Sequence, residues 1–397
     1  MASQRDGQAP GHDRRTPLWV LALLTLSGTA ALHIFVPAIP LVTEEFAGEA
    51  IAAHWTLTIY IIGLGIGQLL HGPASEIFGR RRVLLAGMAL YTLAGLCSML
   101  APTIGVLVLS RFLQALGGCA GLILGRAIAR DDAWQSDAVR SLSLLNLLVV
   151  LGPGIAPLAG SLLASTGGWR SIPAALVLLG LVNFSFVWWL LPAPQKGNRP
   201  VAAGVLRNGG LLLRSRRFVL LALAGSCATT SIYAYVASAP TILMEFARPA
   251  HEVGWYLFVS VLGIWLGSLI ASIVANRIRQ HLMAMLAAAL LVGASGLIVA
   301  LVLFGTTSVF VVAGSAFCFS LGVGIISPTL LSEALSVKPG MSGTASGLYG
   351  SMQMGVGALC TYLVGINGNT TLATGAVMLG AALVAAVCVW LLRPGRR

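Results

Sequence analysis

Residues 40–69 read PLVTEEFAGEAIAAHWTLTIYIIGLGIGQL, and residues 240–269 read PTILMEFARPAHEVGWYLFVSVLGIWLGSL. At this one offset of 200, Pro40, Glu45, Phe46, Ala47, Trp55, Leu57, Gly63, Gly67 and Leu69 recur as Pro240, Glu245, Phe246, Ala247, Trp255, Leu257, Gly263, Gly267 and Leu269. Each copy ends an apolar run near a proline, crosses a short polar stretch with an acid, and opens a Trp-led apolar run with small residues four apart. A repeat held at a fixed offset in one direction means two parallel halves.

Composition says what surrounds those halves. Only 9% of the 397 residues are charged, against about 25% in a soluble domain. With 57% hydrophobic residues and a mean hydropathy of +0.90, the chain is too apolar to be soluble or disordered. The charges divide it into uncharged stretches at 16–43, 50–75, 83–110, 141–169, 171–195, 218–244, 253–276, 280–332 and 339–392. A helix crossing a hydrocarbon core of about 30 Å needs about 20 residues. The first seven stretches fit one span each; the last two fit two each, parted by Gly305-Thr306-Thr307 and Asn367-Gly368-Asn369. Residues 104–125 supply one more. The runs lack the alternation of barrel strands. The expected fold is therefore an all-α membrane protein with twelve transmembrane helices in two parallel six-helix halves. The expected segments are a disordered tail (1–16), a first half (17–191), a linker (192–217), a second half (218–392) and a short tail (393–397).

Counting Lys and Arg by loop gives orientation. Placing both termini in the cytoplasm puts 21 of the 24 positive charges on the inner side, leaves Arg170 and Arg248 outside, and strands Arg111 within a span. The net charge of +12 is thus a topology signal, and with no soluble basic domain it implies no nucleic-acid partner. The N-terminal stretch lacks a signal peptide's short apolar core. All six cysteines fall within expected spans with no metal-ligand spacing, and no nucleophile–base set or phosphate-cradling loop is present, so neither an enzyme nor a cofactor is expected.

Arg111 carries the strongest chemical signal, because a guanidinium cannot discharge and must find acceptors or a wet cavity. Gln114 lies one turn away, followed by Gly117-Gly118. His33, four residues before Pro37, carries the one side-chain type that titrates near neutrality unperturbed, and Glu333 is a second titrating candidate at the end of the tenth span. Together with His33, Arg111 and Gln114, the polar residues Tyr60, Asn146, Tyr233, Tyr235 and Gln353 are candidates to line a cavity between the halves. Gly343, Gly347, Ser351 and Gly355, Gly152, Ala156 and Gly160, and Gly263, Gly267 and Ala271 form small-residue stripes where helices approach, and these faces could let one half rock against the other. Gly72-Pro73-Ala74-Ser75-Glu76-Ile77-Phe78-Gly79-Arg80-Arg81-Arg82 reads as a loop with a tight Gly-Pro turn, whose acid and arginines can clamp helix ends.

These motifs resemble the major facilitator superfamily, and within it the drug:proton antiporters of the Bcr/CflA type, along essentially the whole chain. Gly72 to Arg81, with Glu76, Gly79, Arg80 and Arg81, is similar to the loop motif between spans 2 and 3. Arg111-Phe112-Leu113-Gln114 with Gly117-Gly118 is similar to the span 4 motif whose arginine is tied to proton coupling. Gly152-Pro153-Gly154-Ile155-Ala156-Pro157-Leu158-Ala159-Gly160 looks like the span 5 motif of exporters. The chain departs from the resemblance at His33, where related antiporters usually carry an acid. The resemblance implies proton-coupled multidrug efflux across the inner membrane by alternating access, by a monomer, with the proton gradient as its energy source. A cavity holding Arg111 and His33 without a carboxylate is expected to favour neutral or anionic substrates. A dedicated exporter of a sugar or amino-acid derivative, or a non-transporting sensor on the same fold, are the alternative readings.

Overall fold

A computed structural model of the chain describes residues 17–46, 50–131, 138–191, 209–274, 277–338, 341–368 and 370–392, and all regular structure among them is helical. In chain order the helices are α1 (Leu18–His33), a 3-10 turn (Val36–Ala38), α2 (Ile39–Glu45), α3 (Ala50–Phe78), α4 (Arg80–Met99), α5 (Ile104–Asp131), α6 (Ala138–Gly167) and α7 (Ser171–Leu190). The second half contributes α8 (Arg216–Thr230), α9 (Ile232–Glu245), α10 (Val253–Val274), α11 (Gln280–Leu303), α12 (Val309–Ser336), α13 (Ser342–Ile366) and α14 (Thr371–Leu391). Ten stretches among the described residues are long and apolar enough to cross a membrane, with α1–α2 and α8–α9 each forming one rod. Helices α6 and α13, of 30 and 25 residues, also exceed the length of a span.

Turn chemistry sets the ends. Gly305 and Gly368 take φ of 67° and 73°, the left-handed region that suits glycine, and end the two long uncharged stretches' first helices as the sequence suggests. The hydroxyl of Ser308 then accepts from the Val311 N–H to open α12, and that of Thr370 accepts from the Ala373 N–H to open α14. One turn differs from expectation. Gly72 and Pro73 do not form a tight turn; they lie inside α3, which continues to Phe78, and the chain reverses at Gly79 alone, with φ 85°. A proline costs one ladder bond, here the one to the Leu69 carbonyl, which a spanning helix tolerates where neighbouring groups adjust.

Helix α5 is the hub of the first half, packed on α1, α3 and α4, as α12 is in the second on α8, α10 and α11. Both hubs work through glycine. A Cβ on Gly121 would stand 2.3 Å from the Leu24 carbonyl oxygen of α1, and one on Gly117 2.5 Å from the Gly87 carbonyl oxygen of α4. In α12, a Cβ on Gly324 would lie 2.2 Å from the Ile264 carbonyl oxygen, and Gly267 of α10 meets Leu321 equally closely. Two of the three stripes serve tight packing, and the third faces the other half, where a Cβ on Gly347 would lie 3.8 Å from the Gln68 carbonyl oxygen. Gly152 and Gly160 seat α6 on α1, and Gly263 and Gly267 seat α10 on α12, all within one half, while Gly343 and Gly355 meet nothing within 4 Å.

The repeated acids share a task. Glu45 accepts from the Trp169 indole N–H at 2.5 Å and from Arg170, just before α7. Its counterpart Glu245 accepts from the hydroxyl and backbone N–H of Thr371 at 2.5 and 3.3 Å, at the N-terminus of α14, where a negative charge is favoured. On the opposite, basic face, Arg80 donates to the Ala127 carbonyl, Arg81 donates to the Trp188 carbonyl, and Lys338 donates to the Leu211 carbonyl. The side chain of Glu76 lies outside the described residues.

Gly121→Leu is expected to destabilise the folded chain in detergent by at least about 1–3 kcal/mol, since backbone and not a flexible side chain blocks the new group. Gly355→Ala is expected to change stability by less than about 0.5 kcal/mol. Thermal unfolding of the two purified variants checks both.

Candidate functional site

The site begins with a break. Helix α1 stops at His33 because Pro37 has no N–H to offer the carbonyl four residues back, and the chain turns through Val36–Ala38 before resuming as α2. A helix end leaves its last carbonyls without intrahelical partners and concentrates negative potential there. The rod in the second half is broken about one turn earlier, where α8 ends at Thr230 and α9 begins at Ile232.

Arg111 uses the first break. Its guanidinium donates to the Ala31 carbonyl and to the Gln114 Oε1, both at 2.7 Å. It also lies 4.5 Å from the centroid of Phe35 and 4.3 Å from that of Tyr60. The Tyr60 hydroxyl in turn donates to the Gly28 carbonyl at 2.8 Å. Arg111, Gln114 and Tyr60 have 0% exposure. They are sealed between α1, α3 and α5, and in this conformation they do not line a space between the halves. The cation's partners are a helix C-terminus, two aromatic faces and an amide oxygen, and no carboxylate is among them in the described residues.

His33 faces the other way. Ala31 and Phe35 point to Arg111, and a residue between them is turned about half a circle around the helix. His33 Nδ1 lies 2.9 Å from the Thr29 carbonyl oxygen, which can only accept, so Nδ1 carries the hydrogen and the neutral ring keeps its lone pair on Nε2. Its ring centroid is 6.0 Å from that of Tyr233. These two residues are separated by the repeat offset of 200. Equivalent positions of two symmetric halves can touch only next to the axis relating them, so the His33–Tyr233 contact marks that axis.

Around Tyr233 the second half gathers a small polar group. Thr229 lies one turn before it on α8. The Gln353 amide donates to the Thr229 hydroxyl at 2.7 Å, and that hydroxyl donates to the Gly225 carbonyl at 2.6 Å. Gly357, one turn along α13, lets the Tyr233 ring approach so closely that a Cβ there would stand 2.7 Å from it. His33, Thr229, Tyr233 and Gln353 are thus brought together from α1, α8, α9 and α13. Thr229 was not a sequence candidate, although its spacing of four from Tyr233 places it on the same face. Tyr235 is buried inside the second half at 1% exposure. Glu333 sits at the basic end of α12, where Arg217 approaches it to 3.5 Å. The Asn146 side chain lies outside the described residues.

The halves meet along two seams: α6–α10 lies on the side away from Arg80–Arg82, and α3–α13 runs from that side past mid-helix toward the basic end, where a Cβ on Gly347 would lie 3.8 Å from the Gln68 carbonyl oxygen. Along α3 and α13, Thr58 donates to Thr361 at 3.0 Å, and a Cβ on Gly350 would overlap the Gln68 amide. Along α6 and α10, the Gly254 N–H donates to the Ser161 hydroxyl at 3.1 Å, a Cβ on Gly254 would lie 2.8 Å from the Pro157 carbonyl oxygen, and one on Gly154 would lie 3.2 Å from Val261. In the 152–160 run, therefore, Gly152 and Gly160 face α1, whereas Gly154 and Pro157 face the other half. Pro153 is inside α6 beside them.

Comparisons with known proteins match this geometry. The profile described as Major Facilitator Superfamily covers residues 21–361. The chain is 28% identical over 381 residues to the "Uncharacterized MFS-type transporter YdgK" of Bacillus subtilis, spanning 94% of each chain. It is 25% identical to the "Bicyclomycin resistance protein homolog" of Haemophilus influenzae over 93% of this chain and 94% of that one. It is 28% identical to the "Multidrug resistance protein D" of Escherichia coli over 87% of each. Among solved structures, the D-xylose-proton symporter superposes with a TM-score of 0.74 at 15% identity, covering 95% of this chain and 97% of the other, a likeness of fold.

Arg111→Lys is expected to lower the thermal stability of the purified protein, because an ammonium cannot span the Gln114 and Ala31 oxygens as a fork does or stack on Phe35 and Tyr60. Losing one of the two bonds costs about 1–3 kcal/mol, and calorimetry or a thermal-shift series reads it directly.

Proposed function

Because this chain belongs to the Major Facilitator Superfamily, a family of multi-pass membrane transporters, we propose that it exports small hydrophobic drugs or antibiotics across the inner membrane by alternating access, driven by protons moving inward. The reading takes α6 and α13 as spans beside the ten apolar rods, giving twelve, and puts the basic face in the cytoplasm. The observation that carries it is the set His33, Thr229, Tyr233 and Gln353 gathered at the axis between the two halves. The names of relatives, bicyclomycin resistance and multidrug resistance, support the drug class.

In this reading the Thr58–Thr361 and Ser161–Gly254 contacts close the outer side, and a substrate enters from the basic side once the contact of Gln68 with Gly350 parts. Tyr233 and His33 offer flat faces to an aromatic or apolar molecule, and Gln353 and Thr229 offer hydrogen bonds, so a neutral substrate leaves no charge unpaired there. His33 is the proton carrier: Nε2 takes a proton while Nδ1–H stays on Thr29. A protonated ring repels a cation and occupies the place a substrate would take, so proton and substrate alternate. Arg111 holds the broken end of α1, and with it His33, at a fixed height. The chain works as a monomer.

A resistance panel of chemically diverse drugs, in a strain stripped of its own exporters, is expected to show protection against several neutral apolar compounds. Protection against none would overturn the reading. In everted vesicles, substrate addition is expected to discharge a pre-formed pH gradient with wild type and at least about tenfold more slowly with His33→Ala, whereas an unchanged rate means that His33 carries no proton.

A further inference from the structure

A second histidine lies between the halves and the export reading leaves it unused. His54 sits one turn into α3, on the side away from the basic face, with 7% of its surface exposed, and its Nδ1 is buried with no hydrogen-bond partner. Beside it is a half-open pocket of roughly one water's size, lined by Thr58 and Trp55 of α3 and by Thr361, Tyr362 and Gly365 of α13. The same residues hold the seam: Thr58 donates to Thr361, which donates to the Ala358 carbonyl, and the rings of Trp55 and Tyr362 stand 5.5 Å apart.

The groups facing His54 offer a cation little. Helix α13 has no charged residue from Ser342 to Ile366, its titratable groups being Tyr349, Cys360 and Tyr362. On α2, Glu44 is exposed and Glu45 is engaged by Arg170 and Trp169. Helix α4 has no charge between Val83 and Met99, α1 carries only His33, and α5 has none before Arg111, which is itself engaged. Glu49 lies outside the described residues. A neutral ring at His54 leaves one buried nitrogen idle in the seam, whereas a protonated ring puts a charge on a 7%-exposed side chain with no acceptor for that nitrogen, a larger cost that is relieved when α3 and α13 part and water enters.

We propose that His54 is a second proton-binding site, built into the outer joint between the halves, and that a proton there holds the outer side open. The site binds its proton more tightly in the outward-open state than in the closed one, so by reciprocity acid shifts the population toward outward-open. With a single proton, the open-to-closed ratio rises by at most about tenfold per unit fall in pH. The sense of the shift is fixed: neutral His54 favours the closed joint seen here, and acid outside delays its closing. The proposal takes alternating access from the export reading but does not depend on what is exported.

The test reads conformation without substrate or gradient. Spin labels go on Leu100→Cys, after α4, and Phe304→Cys, after α11, which are exposed outer-side positions in different halves, in the full chain with its six native cysteines changed to serine and the protein in lipid vesicles. Between pH 8 and pH 5 the chain with His54 is expected to gain a longer-distance population along a one-proton curve. His54→Phe, or His54→Gln should the first variant not fold, is expected to stay at the short distance throughout, while His33→Gln keeps the lengthening. No lengthening with His54 present, or full lengthening in either His54 variant, overturns the proposal. Failure in the drug panel leaves this result standing, and a flat distance profile leaves the export reading intact.

Discussion

A guanidinium that cannot give up its charge, sealed at 0% exposure in the middle of a membrane-spanning half, is the constraint the first half is built around. A carboxylate would be the ordinary remedy, and none lies in the core of the first six expected spans. The chain uses backbone instead. Breaking the first rod at Pro37 frees the carbonyls of the preceding turn, and one of them, Ala31, meets Arg111. The break also allows Phe35 to turn its face to the cation while Tyr60 covers the opposite side. Those contacts need α5 to lie against α1 at backbone distance, and the glycines at 118, 121 and 125 permit it. Proline, arginine and glycine are three parts of one solution, and changing any one leaves the other two without a purpose.

The repeat gives that solution a functional consequence. The same helix turn that presents Ala31 to Arg111 presents His33 to the other half, so the height of His33 in the membrane follows from where the arginine is anchored. Duplication places Tyr233 at the matching point of the second half, and the two rings meet beside the axis. Glu45 and Glu245 show the repeat acting structurally: each ties the end of its half's first rod to the start of that half's last helix, the first through Trp169 and Arg170, the second through Thr371. One ancestral contact is kept with different donors, whereas the axis position diverged into an imidazole and a phenol. That divergence makes the centre asymmetric, with the titrating group on one half and the amide and hydroxyl of Gln353 and Thr229 on the other.

Most of the fold was legible because membrane spans are written in charge spacing, which needs no knowledge of tertiary contacts. The uncharged stretches foretold the rods closely, and Gly305 and Gly368 ended helices where the turn signals lay. What failed was local. Gly72-Pro73 read as a turn because that pair is one in water; inside a membrane rod the helix is the cheaper state and continues to Phe78. The small-residue stripes read as places of helix contact, and the sequence could not say which contacts lie within a half and which between halves, since both use the same residues: two of the three seat helices within one half.

The candidate site was legible in kind and less so in arrangement. Arg111 and His33 stood out by charge and by titration, but the sequence placed both in one cavity, and helical phase puts them on opposite sides of α1. Their separation in sequence says nothing of this; the link runs through Ala31 and Phe35, two ordinary residues whose role is set by phase relative to Pro37. Tyr233 could have been singled out from Tyr235 by the repeat alone, because only one of them lies 200 residues from His33. The offset that revealed two halves therefore also held the address of the axis. A fixed cation inside one half and an imidazole on the other side of the same helix are joined through one helix turn, so the position of His33 follows from the anchoring of Arg111, whose charge stays at 0% exposure.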